Sequence, residues 1–151
     1  MKVWIHHYQL TFKNQPLYIS SENSFIYEPW AGDFSLVIGP AYVSLDVDLS
    51  AGRIVQVSGL SPISSWNRKQ IEVPPALTGI LGIEIDDSWL PGSGITYADQ
   101  WITLFDESSG WVQIGGERAC ENDEYVSFAT DTIAAVRESR VVGVWIRPVI
   151  T

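Results

Sequence analysis

Val43-Ser44-Leu45-Asp46-Val47-Asp48-Leu49, then Ser50-Ala51-Gly52, then Arg53-Ile54-Val55-Gln56-Val57-Ser58 is the stretch that decides the fold. Apolar residues at 43, 45, 47 and 49 alternate with Ser44, Asp46 and Asp48, which is the period of a half-buried strand, with the polar set expected on the solvent side. Gly52 supplies the left-handed backbone that a tight hairpin turn needs. The same grammar returns downstream. Trp101 to Phe105 reads as a strand, Asp106-Glu107-Ser108-Ser109-Gly110 as a turn matching Asp48 to Gly52 at Asp, Ser and Gly, and Trp111 to Ile114 as the returning strand. A third hairpin runs from Thr132 to Val136, turns near Glu138-Ser139-Arg140 and returns over Val141 to Arg147.

Further strands are expected at Val3 to Phe12, Leu17 to Ser20, Phe34 to Ile38, Ile80 to Asp86 and Tyr125 to Phe128. Prolines at 16, 29, 40, 62, 74, 75 and 91 interrupt most helical windows. Ala129 to Val136 fits either period, so one short helix is allowed there. The regular strand and turn spacing predicts an all-β, mainly antiparallel fold, a sandwich or strongly bent sheet built from hairpins, as a single domain over 1–151. A chain of 151 residues, 46% hydrophobic and 18% charged, can bury a core of its own. Two segments are expected to be irregular, Ser61 to Pro75 and Asp87 to Gln100.

Charge is distributed very unevenly. Glu84, Asp86, Asp87, Asp99, Asp106, Glu107, Glu117, Glu121, Asp123 and Glu124 stand against Arg118 alone, and this segment accounts for the whole net charge of −9. Such a segment disfavours nucleic acid and anionic lipid and attracts basic protein surfaces. No apolar run is long enough for a membrane-spanning helix, and no signal-peptide pattern opens the chain, so a cytoplasmic location is expected.

Candidates for chemistry are few. His6 and His7 point to opposite sides of a strand and cannot readily share a metal; His6 is expected on the core side with Trp4, Tyr8, Leu10 and Phe12. Asp46 and Asp48 would meet Glu84 and Asp86 if their strands were neighbours, which would suit a hard cation or a carboxylate-dependent hydrolase. Cys120, the single cysteine, has acidic neighbours that argue against a nucleophilic role. Phosphate-binding, serine-hydrolase and zinc signatures are absent, so no cofactor and no metal are expected. The loop from Asp86 to Asp99 mixes carboxylates with aromatics, the composition of a protein-binding hot spot. Asp86, Asp87, Trp89, Tyr97 and Asp99 are therefore the expected partner-binding residues, with Glu121, Asp123 and Glu124 as steering charge. A small-ligand or carbohydrate-binding sandwich using Trp66, Trp89 and Trp101 is the alternative, and the hydrolase comes third.

Trp111-Val112-Gln113-Ile114-Gly115-Gly116, Tyr125-Val126-Ser127-Phe128-Ala129, Val144-Trp145-Ile146-Arg147-Pro148 and the hairpin from Leu45 to Val55 resemble small acidic bacterial immunity-type proteins of polymorphic and contact-dependent toxin systems. The resemblance covers about a third of the chain. It implies a cytoplasmic, non-enzymatic inhibitor that occludes a basic toxin or nuclease, and it transfers no individual functional residue.

Overall fold

The computed structural model describes residues 1–116 and 118–151; Glu117, one of the acids of the 84–124 segment, lies outside the described residues. The strands are β1 (Val3–His7), β2 (Gln15–Ile19), β3 (Ser24–Glu28), β4 (Phe34–Ile38), β5 (Tyr42–Asp48), β6 (Arg53–Leu60), β7 (Asn67–Arg68), β8 (Gly79–Ile83), β9 (Gly94–Ala98), β10 (Ile102–Phe105), β11 (Val112–Gly115), β12 (Glu124–Ala129), β13 (Thr132–Arg137), β14 (Arg140–Ile146) and β15 (Val149–Ile150). Among the described residues, helix is confined to short 3₁₀ turns at Ser20–Glu22 and Ile63–Ser65.

The strands form two open, mixed sheets. The first is ordered β15-β2-β3-β6-β5-β4-β9, with β8 and β1 branching from β6; the second is ordered β12-β13-β14-β11-β10-β7. Most pairs are antiparallel, and the parallel ones are β15 on β2, β9 on β4 and β7 on β10. One apolar core joins the sheets, including Leu36, Leu45 and Leu81 from the first and Val112, Val126 and Ile146 from the second. A hydrogen bond of 2.6 Å between the Tyr27 and Thr132 hydroxyls crosses the interior. The all-β expectation is therefore met, and no helix is long and apolar enough to cross a membrane among the described residues.

The three hairpins are present. In both Asp-Ser-Gly turns the aspartate bonds the serine hydroxyl two residues on, Asp48 to Ser50 at 2.8 Å and Asp106 to Ser108 at 2.7 Å. Gly52 and Gly110 take φ of 66° and 82°, and their N–H groups close the turns on the aspartate carbonyls. The β13–β14 turn uses Glu138 and Ser139, both with positive φ.

Several local expectations are corrected. Residues 129–136 hold no helix: β12 ends, Asp131 turns, and β13 begins. The first strand stops at His7, and its buried side carries Val3 and Ile5 while Trp4 and His6 are exposed. The interval 87–100 is not all loop, because Gly94–Ala98 pairs with β4 as an edge strand. Most consequentially, both faces of β5 are buried: Ser44 and Asp46 lie inside, not in solvent.

Candidate functional site

The 86–99 segment starts with an aspartate turn. Asp86 Oδ1 accepts from the Ser88 N–H and hydroxyl at 2.9 and 2.7 Å, and these bonds hold its carboxyl below its usual range. Asp86 and Asp87 are exposed. Trp89 is half-buried, its ring stacked on Phe34 at 4.6 Å. Tyr97 is only 6% exposed, so its place as an exposed anchor is corrected: it belongs to the core. Its hydroxyl accepts from the Val141 N–H at 2.8 Å, and the Arg140 guanidinium lies over its ring at 4.5 Å. The signal for this was the alternation of Ile95 and Tyr97 with Thr96 and Ala98, hidden by the glycines and proline before it. Asp99 is exposed and caps the Gln100 N–H at 2.8 Å.

Glu121 and Glu124 are exposed. Asp123 is different, since Arg137 Nε binds its Oδ1 at 2.6 Å and the Cys120 N–H binds its Oδ2 at 2.9 Å. The Arg137 bond is the main cause that lowers its carboxyl pKa.

The fold brings part of this charge to the β13–β14 turn, while the 86–92 loop lies at the Asp33–Phe34 end of β4 and Asp99 at its Gly39 end. The Val3 N–H donates to Ser139 O at 2.9 Å and the Glu84 N–H to Lys2 O at 2.8 Å, placing Glu84 beside that turn. Glu124 pairs with Val136, Asp123 with Arg137, and Asp99 shares a small hollow with Arg140. Glu138 adds an exposed carboxylate of its own. Among the described residues, Asp86, Asp87, Asp99, Glu121 and Glu124 lack a basic side chain within ion-pair distance. Asp106 and Glu107 lie at the opposite end of the second sheet, where Glu107 pairs with Arg68, so the segment is gathered only in part.

The four-carboxylate arrangement is not formed. Strand β6 lies between β5 and β8, and Asp46 is enclosed. No three or more His, Cys, Asp or Glu side chains converge in metal-binding geometry among the described residues. The three tryptophans of the ligand alternative are also apart. Trp66 is a core residue stacked on Phe25, Trp89 lies on Phe34, and Trp101 covers Gly116.

The outer face of the second sheet carries a groove of about 690 Å³, crossed by residues 69–75 and bordered by Ile102, Leu104, Tyr125 and Trp145. Beneath that crossing segment Ile71, Ile133, Ala135 and Trp145 form a second small core. The Trp145 indole N–H there is the one buried side-chain polar atom without a hydrogen-bond partner among the described residues.

No protein-family model, curated protein or solved structure matches the chain.

Proposed function

We propose that the chain is a non-enzymatic binding module for a basic protein, in its most specific form an immunity protein or inhibitor that occludes a cationic toxin such as a nuclease. The observation that supports this reading is that Asp99 and Glu124, from two separated segments and without a basic side chain within ion-pair distance among the described residues, flank the β13–β14 turn that carries the exposed Glu138. Like charges left without counterions on one surface repel one another, and a cationic partner relieves that repulsion. Asp86, Asp87, Asp99, Glu121 and Glu124 are the contact and steering residues, Leu90, 65% exposed, is the apolar tip beside them, and Trp89 holds the loop through its stack on Phe34. Asp123 contributes through its ion pair, which fixes the 120–124 turn.

The experiment is an inhibition assay against a panel of basic nucleases at low salt. Loss of activity of one of them at stoichiometric concentration, relieved by Asp87→Asn with Asp99→Asn, is the expected outcome. Full activity of every member would remove the inhibitor reading.

A further inference from the structure

A second feature runs against the charge of the chain. Between β6, β8 and the coil that follows β1 lies a cleft of about 350 Å³, and its lining includes two bases, Lys13 and Arg53, and no acid. In a protein of net charge −9 such a lining is unexpected. Neither base forms an ion pair among the described residues; Arg53 stands opposite Asp48 in the ladder without closing on it. The half-buried Phe12 gives the cleft an apolar wall, backed by Leu81 and Phe128 of the core. At its rim stands Trp30, 58% exposed.

Trp30 stands on a loop held by hydrogen bonds that lead back to the buried Asp46 carboxyl. Asp46 Oδ2 accepts from Gln56 Nε2 at 2.8 Å, and Gln56 Oε1 accepts from the Ala31 N–H at 2.9 Å. Trp30 Nε1 donates to Gly32 O at 3.2 Å, and Gly32 packs against the Asp46 side chain. A large exposed ring fixed in this way loses little freedom on meeting a ligand.

We infer that this cleft binds a small anion with a flat apolar body, an aromatic carboxylate being the simplest: Lys13 and Arg53 take the charge, Trp30 stacks on the ring, and the half-buried Phe12 receives the apolar edge. The volume lies at the small end of the range for ligand sites, roughly 300–1,000 Å³. A planar guanidinium matches a carboxylate in two parallel hydrogen bonds, and a tryptophan face suits a ring. This site is separate from the acidic surface and stands or falls independently of it.

The test is a titration of the ¹⁵N-labelled full chain with benzoate, and separately with benzamide, following the indole N–H resonances. Trp30→Ala, at an exposed position, identifies the Trp30 resonance by its loss. Saturable movement of that resonance with benzoate, much weaker movement with benzamide, and affinity reduced about tenfold or more by Arg53→Gln are expected. A Trp30 resonance that benzoate leaves in place, or that benzamide moves equally, overturns the proposal. So does undiminished affinity in the Lys13→Gln, Arg53→Gln double variant.

Discussion

The Tyr97 hydroxyl accepts a 2.8 Å hydrogen bond from the backbone N–H of Val141, tying the edge strand β9 of one sheet to β14 of the other. One residue of a segment with the composition of a binding loop is thereby anchored in the interior, while Asp86, Asp87, Leu90 and Asp99 stay exposed. Burial raises the phenol pKa, which favours the neutral hydroxyl at this joint.

Tyr97→Phe keeps the ring and its contact with Arg140 but leaves the Val141 N–H without its acceptor. Leaving a buried donor unpaired typically costs about 1–3 kcal/mol. The variant is expected to unfold at lower urea concentration by that margin, with an unchanged denaturant slope. Wild-type stability would place Tyr97 outside the structural framework.

Asp46 gives the chain a pH dependence of one sign. Its Oδ2 accepts from Ser58 at 2.5 Å and from Gln56, and its Oδ1 from Ser44 at 2.7 Å, yet all these donors are neutral. Burial dominates and pushes the carboxyl above its ordinary range, against the pull of those hydrogen bonds. Folding therefore favours the protonated form relative to the unfolded chain. This group's contribution is fully present below the ordinary carboxylate pKa of about 4 and is lost as pH rises through the raised folded value. The stability difference between wild type and Asp46→Asn, measured by denaturation at a series of pH values, should shift against wild type across that window. A flat difference would mean that Asp46 is not desolvated.

Asp106 has the opposite sign. The Ile71 N–H at 3.0 Å, then the Ser108 hydroxyl and N–H, hold its carboxyl down at about 2. Its contribution is fully present above the ordinary carboxylate range and is lost as pH falls through about 2. Because the Ile71 bond fixes the segment crossing the second sheet, Asp106→Asn should loosen that segment first. Faster amide exchange at Ile71 and its neighbours at neutral pH checks this, and unchanged exchange would contradict it.

How much of this was legible in the sequence follows from where each signal comes from. The hairpins were readable because alternation and the Asp-Ser-Gly turns are local, and β4 was read to its last residue at Phe34 and Ile38. The burial of Asp46 was not. Ser44-Leu45-Asp46-Val47 has the same alternation whether its polar side meets water or Gln56, Ser58 and the 29–33 loop, and only the tertiary fold supplies that cover. Strand β9 was hidden because it pairs in parallel with β4, a long-range match that leaves no turn signature. The acidic residues were found by composition, whereas the placement of Asp99 and Glu124 beside the Glu138 turn and the separation of Asp106 and Glu107 depend on strand order. Trp30 was missed because a lone tryptophan between Pro29 and Ala31 carries no periodic signal.

Recruitment of a basic partner by the acidic surface, as proposed, is read in the association rate with a bound basic nuclease across a salt series. A steep fall of the rate with salt is expected, since steering raises rates by roughly 10–1,000-fold and screening shortens its reach to about 8 Å at physiological ionic strength. Asp87→Asn, Asp99→Asn and Glu124→Gln should slow association with folding nearly intact, whereas Glu107→Gln, at the other end of the second sheet, should change it far less. A salt-independent rate, or equal slowing by both sets of changes, would mean that the acidic residues do not steer a partner.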